Sequence, residues 1–129
     1  MNSSGDNAAA KRGGRRILLV EDEFLIRMLL EDMLSDLGYE IAGVAGHINE
    51  AAELAKTAAC DLAILDVNLD GHDVYPVADL LTKRGVPFLF VTGYGSHGLP
   101  EAYRSHPVLQ KPFQLDDLDK TLGRLLAAG

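Results

Sequence analysis

Four apolar runs in this 129-residue chain each stop at a polar group. Glu21 and Asp22 follow Ile17-Leu18-Leu19-Val20, and Asp66 follows Leu62-Ala63-Ile64-Leu65. Thr92 follows Phe88-Leu89-Phe90-Val91, and Lys111 follows Val108-Leu109-Gln110. A strand wetted on one face alternates apolar and polar residues. These runs do not alternate, so each needs cover on both faces, the pattern of a parallel sheet. Parallel neighbours in turn require long crossovers, usually helices.

The segments between the runs supply those helices. Leu25, Met28, Leu29, Met33 and Leu37 recur at helical spacing after the first run, and Gly38 ends that stretch as a C′ residue. A weaker strand near 40–45 is interrupted by Gly43, which suits a sheet edge. An Ala-rich helix near 48–58 places Ile48, Ala51, Ala52, Ala55 and Ala59 on one side. The third strand is expected at 61–65. The next helix carries Val74, Val77, Ala78 and Leu81, with Pro76 admissible only in its first turn. Gly85 and Pro87 bound the turn into the fourth strand. Residues 92–106 are the least regular, with at most a short helix near 100–105. A fifth strand near 107–110 precedes a helix carrying Leu115, Leu118, Leu122 and Leu125, whose first turn holds Asp116 and Asp117.

The reading is one α/β domain at 15–129, a doubly wound five-stranded parallel sheet, behind a disordered leader at 1–14 that is rich in Ser, Gly, Asn and Ala. The net charge of −7 is uneven. Lys11, Arg12, Arg15 and Arg16 against Asp6 give the first 16 residues +3, which leaves −10 for the remainder. An acidic body repels a phosphate backbone, so direct nucleic-acid binding is not expected. The basic leader could touch an anionic surface but reads better as a solubilising tail. No apolar run nears the roughly 20 residues that span a bilayer, and no secretory signal opens the chain. With Cys60 alone, an intramolecular disulfide is impossible, and a cytoplasmic setting is expected.

Ligand sites of open α/β sheets lie outside the carboxyl ends of the strands. If Asp66 stands beside Glu21 and Asp22, with Thr92 near, the first and third strands are neighbours and the order is 2-1-3-4-5. Three carboxylates and Lys111 sum to −2, a balance that one Mg²⁺ neutralises. Asp22 and Asp66 read as direct ligands, Glu21 as a ligand through water, and the backbone carbonyl of Asn68 as a further donor. Such a site makes Asp66 a nucleophile toward an activated phosphoryl group. Lys111 supplies charge and Thr92 a hydroxyl donor. The four histidines (His47, His72, His97, His106) have no metal-ligand spacing and read as surface or loop residues.

Val20-Glu21-Asp22-Glu23, Leu65-Asp66-Val67-Asn68-Leu69, Thr92-Gly93 and Lys111-Pro112-Phe113, in this order, resemble the receiver domain of two-component response regulators. The resemblance covers about residues 15–127 and implies a flavodoxin-like fold. It also implies that Asp66 accepts a phosphoryl group from a bacterial sensor histidine kinase or a histidine phosphotransfer protein. The chain would then be a phosphoacceptor signalling protein, not an enzyme acting on other substrates, and it would lose its phosphoryl group slowly. Phe90-Val91-Thr92-Gly93-Tyr94-Gly95 is similar to a subgroup with Phe-Ala-Thr-Gly on strand four, whose members often stand alone and whose partners suggest alphaproteobacterial kinases. Two positions depart from the family. Val108 stands where an aromatic usually moves with the Thr, and Asp70 stands where many receivers have proline. Thr92, Gly93, Tyr94 and Val108 are therefore the candidate switch residues, with the 93–99 loop as the switch and Tyr94 able to gate water.

Two other classes compete. A covalent magnesium phosphatase would need a second acid two residues after Asp66, where Asn68 stands. A phosphorylation-independent pseudo-receiver would not need the intact set Asp22, Asp66, Thr92 and Lys111.

Overall fold

The computed structural model describes residues 14–93 and 98–128. The main sheet holds β1 (Arg16–Val20), β2 (Glu40–Ala45), β3 (Leu62–Asp66), β6 (Phe88–Thr92) and β7 (Val108–Gln110). A two-stranded hairpin, β4 (Asn68–Leu69) and β5 (His72–Asp73), follows β3. The helices are α1 (Phe24–Asp36), α2 (Ile48–Thr57), α3 (Tyr75–Arg84) and α4 (Leu115–Ala128), and Glu101–Tyr103 form a short 3-10 turn. The sheet order is β2-β1-β3-β6-β7, all parallel. With the hairpin set aside this is the 2-1-3-4-5 order expected of the five main strands.

The continuous apolar runs sort by alternate residues onto two faces. Leu18, Val20, Ala63, Leu65, Phe88 and Phe90 meet Ala51 and Ala55 of α2 and Val77, Ala78 and Leu81 of α3. Ile17, Leu19, Leu62, Ile64, Leu89 and Val91 meet Leu30 and Leu34 of α1 and Leu118 and Leu122 of α4. Each central strand thus buries both sides, which is why its sequence lacks polar alternation. The edge strand β2 is mostly half-buried, and its register against β1 shifts between Ile17 and Leu18. Cys60 is half-buried against the α2–α3 layer, as a small packed residue should be.

The stripe expected to bury α1 is covered only at its C-terminal end, at Met33 and Leu37. Leu25, Met28 and Leu29 are exposed, together with Phe24. The buried side is Leu30 and Leu34, with Leu37 at the C-cap and Ile26 and Met33 partly covered. The sequence of α1 is apolar around more than half its circumference, so a period of 3.6 fits two stripes equally well. Only the direction from which the sheet arrives selects one.

The hairpin was absent from the sequence reading, although Asp70-Gly71 is a strong two-residue turn signal. Asn68 pairs with Asp73 and Leu69 with His72. The two loop residues have φ of 51° and 83°, as a mirror-image turn demands of both. His106 lies in a loop, as expected, but is not at the surface. It is half-buried, with its ring 4.4 Å from that of Phe88. The leader through residue 13, Tyr94, Gly95 and His97 lie outside the described residues.

Candidate functional site

Register alone brings the polar ends together. Val20 pairs with Leu65, Asp66 with Val91, and Thr92 with Gln110. The next residues, Glu21 and Lys111, are carried to the same edge by main-chain bonds from Glu21 N–H to Ala45 O (3.0 Å) and from Lys111 N–H to Thr92 O (2.9 Å). Asp66 and Thr92 are buried at this edge, and the Lys111-Pro112 peptide is cis.

Glu21, Asp22 and Asp66 each place a carboxylate oxygen within 4.8 Å of the other two. Lys111 Nζ lies 3.5 Å from Asp66 Oδ2, 3.7 Å from Glu21 Oε1 and 3.4 Å from Glu23 Oε1. Asp66 Oδ1 accepts the Asn68 N–H at 3.3 Å, and Asp22 Oδ2 accepts the Asp70 N–H at 3.1 Å. Glu21 Oε2 accepts the Glu23 N–H at 3.0 Å, while its Oε1 is buried and accepts no hydrogen bond from the described residues. The pocket above this cluster is about 780 Å³ and takes in Asp22, Asp66, Asn68, Thr92, Gly93 and Lys111. Asp70, Asp73, Tyr75 and Gly98 also line it.

The electrostatics follow from crowding. Burial, and then the facing Asp66 charge, push the Glu21 carboxyl from 4.5 to about 8. Burial also raises Asp66, although its hydrogen bond with Glu21, then Lys111 and the Asn68 N–H, oppose the rise. Burial works against the Lys111 ammonium, but Asp66, Glu21 and Glu23 outweigh it and hold its pKa above the ordinary value. One lysine does not offset three crowded carboxylates, so without a cation the cluster keeps a proton on Glu21 at neutral pH. Three carboxylate oxygens converging at this spacing, beside a buried Glu21 oxygen that accepts no hydrogen bond from the described residues, fit a hard divalent cation.

Seven of the sequence-derived groups converge here: Glu21, Asp22, Asp66, Asn68, Thr92, Gly93 and Lys111. Val108 does not line this pocket. It sits on β7 opposite Phe90. The sequence reading gave no site role to Glu23, the nearest carboxylate to Lys111, nor to Asp70. The Asp-Gly turn was the signal that would have found Asp70. A further aromatic group lies beside the site. Tyr75, a pocket residue, stacks on Tyr103 at 4.6 Å, and the Tyr103 hydroxyl donates to Asp79 Oδ1 at 2.7 Å.

A doubly wound sheet with an acidic cluster, a hydroxyl and a lysine at its carboxyl edge, where such sheets hold their ligands, is the arrangement of a receiver-type signalling domain. The chain belongs to the response regulator receiver domain family, whose model matches residues 17–123. It is 41% identical over 108 residues to the transcriptional regulatory protein PdtaR of Mycobacterium tuberculosis, covering 81% of this chain and 53% of that protein. It is 35% identical over 115 residues to the phyllosphere-induced regulator PhyR of Methylorubrum extorquens, covering 85% of this chain and 43% of that protein. The chain thus spans about half the length of these curated relatives. Among solved structures it is similar to SdrG from Sphingomonas melonis, with 42% identity, a TM-score of 0.79, and coverage of 88% of this chain and 97% of that one. A receiver domain of a Pseudomonas aeruginosa sensor kinase, 25% identical with a TM-score of 0.72 over 89% of this chain and 99% of that one, holds a magnesium ion in its active-site cleft.

Proposed function

We propose that this receiver accepts a phosphoryl group on Asp66 from a phosphohistidine on a sensor kinase or a phosphotransfer protein. The carrying observation is the Asp66 carboxylate beside Lys111, inside a cluster with Glu21 and Asp22 at the mouth of an open pocket. In the reaction an Asp66 oxygen attacks phosphorus, a P–O bond forms, and the P–N bond to the donor imidazole breaks. The imidazole leaves with the bonding electron pair and takes up a proton. Lys111 pairs with the incoming phosphoryl oxygens, and the Thr92 hydroxyl donates to one of them. The Asn68 N–H orients Asp66 so that one oxygen faces the pocket. Glu21, Asp22, Asp66 and the Asn68 carbonyl would hold Mg²⁺, which supplies charge neutralisation for the phosphoryl oxygens when bound.

The reading extends to switching. A new dianion on Asp66 draws Thr92 and Lys111 inward, and the switch acts at Gly93 and Gly98, which line the pocket on either side of residues outside the described ones. Val108 supplies no aromatic for the usual companion movement, so the change is carried by Thr92 and the residues that follow it. Similarity to SdrG over nearly the whole of that chain supports action as a stand-alone receiver. Val108 also favours a second reading, a partner-binding module that works without phosphorylation.

Incubation with Mg²⁺ and a small phosphoramidate, followed by intact mass spectrometry beside Asp66→Asn, tests the proposal. A magnesium-dependent phosphoryl adduct on the unmodified chain alone supports it. No adduct from either the phosphoramidate or a phosphorylated kinase moves the conclusion to the second reading.

A further inference from the structure

We propose that Asp70 is a positioning residue: its main-chain N–H, carried at the tip of the 68–73 hairpin, holds the Asp22 carboxylate in the acidic cluster. This deepens the receiver reading and rests on it. The bond joins residues 48 apart in sequence, from the connection after β3 to the end of β1. Two carboxylates of the cluster are held from this one short segment. Asn68 N–H reaches Asp66 Oδ1, and Asp70 N–H reaches Asp22 Oδ2. The hairpin acts as a main-chain clamp across the pair.

Local chemistry makes the clamp firm. Leu69 is fully buried, which anchors the first strand of the hairpin. Gly71 N–H donates to Asn68 Oδ1 at 2.9 Å, closing the turn from within. Asp70 itself has φ of 51°. Aspartate and asparagine tolerate that region better than other side chains, and proline cannot enter it, since its ring holds φ near about −65°. Proline would also delete the N–H. The departure from proline at position 70 is thus what allows the donor to exist. A carboxylate already held by a neutral donor loses less orientational freedom when a cation arrives, the usual effect of groups that orient metal ligands.

The experiment is a calorimetric Mg²⁺ titration of the metal-free chain and of Asp70→Asn, Asp70→Pro, Asp22→Ala, and Asp22→Ala combined with each Asp70 change. Asn and Pro both lack the Asp70 charge, so their difference isolates the N–H and the backbone it needs. Asp70→Pro is expected to bind about tenfold more weakly than Asp70→Asn, the low end for groups that orient metal ligands. The Asp22→Ala background lacks a direct ligand and is expected to bind weakly whatever stands at position 70, so the comparison with Asp22 intact carries the test. Equal affinities for the two variants, or a difference that persists without Asp22, overturns the assignment. A variant that fails to fold does not close the question, because NMR on the unmodified metal-free chain reads the bond directly. Scalar coupling between the Asp70 amide nitrogen and the Asp22 carboxyl carbon supports the clamp, and its absence overturns it. If the unmodified chain binds no Mg²⁺ at all, the receiver chemistry fails, and the coupling still decides whether the clamp exists.

Discussion

Replacing Glu21 by glutamine should stabilise the metal-free protein while weakening its response to Mg²⁺. Glu21 is fully buried, and its Oε1 accepts no hydrogen bond from the described residues. Its carboxyl is pushed from 4.5 to about 8 by burial and by Asp66. The folded state therefore keeps a proton that the unfolded chain releases at lower pH. Stability from that proton is fully present below 4.5 and is lost as pH rises through about 8. At about 1.4 kcal/mol per pH unit, the ceiling of this loss is about 5 kcal/mol. Glutamine removes the titration but leaves an amide needing partners, so about 2 kcal/mol of gain is expected at pH 9. For a domain of this size that is a rise in Tm of roughly 8 °C. The assay is thermal unfolding of both proteins at pH 6, 7, 8 and 9 in a chelator, then in excess Mg²⁺. The gap in Tm should widen with pH in the chelator. It should shrink or reverse in Mg²⁺, because the unmodified chain gains more from binding. A gap that stays flat from pH 6 to 9 would refute the buried-charge argument.

Three further outcomes follow from the packing and the site. Leu34→Ala, in the covered stripe of α1, should cost about 3 kcal/mol in denaturant unfolding, whereas Leu25→Ala, 77% exposed, should stay within about 0.5 kcal/mol. Equal losses would mean that the other stripe packs. Tyr103→Phe removes the hydroxyl bond to Asp79 and should destabilise by about 1 kcal/mol while keeping the stack on Tyr75. Unchanged urea unfolding, together with unaltered Tyr75 resonances, would show that this bond contributes nothing. Lys111→Met removes the cation 3.7 Å from Glu21 and 3.5 Å from Asp66. The Glu21 midpoint, followed by its carboxyl ¹³C shift without Mg²⁺, should move further upward, and a midpoint at or below that of the unmodified chain would contradict the charge arrangement.

The polar groups of the site were readable because parallel strands obey simple geometry. A run buried on both faces ends at one edge of the sheet, and the residue that follows emerges there. Glu21, Asp22, Asp66, Thr92 and Lys111 could therefore be grouped from the ends of four apolar runs, and their mutual needs implied that β1 and β3 are neighbours. Helix existence was equally legible from 3.6-residue spacing, with Gly38 ending α1 through a φ of 92°.

Tertiary structure decided what local pattern leaves degenerate. The side of α1 that is buried depends on where the sheet lies, because Leu25-Met28-Leu29 and Leu30-Leu34 are both acceptable stripes. The difference between Glu21, fully buried, and its neighbour Asp22, half-buried, depends on which side chains close over the edge. Their opposite environments cannot be inferred from two adjacent acids. The hairpin is the intermediate case. Asp70-Gly71 marks the turn locally, but that its N–H reaches Asp22, 48 residues earlier, is a consequence of β1 lying beside β3. Short-range sterics are written in the chain residue by residue, whereas burial and long-range hydrogen bonds exist only once the layers have packed.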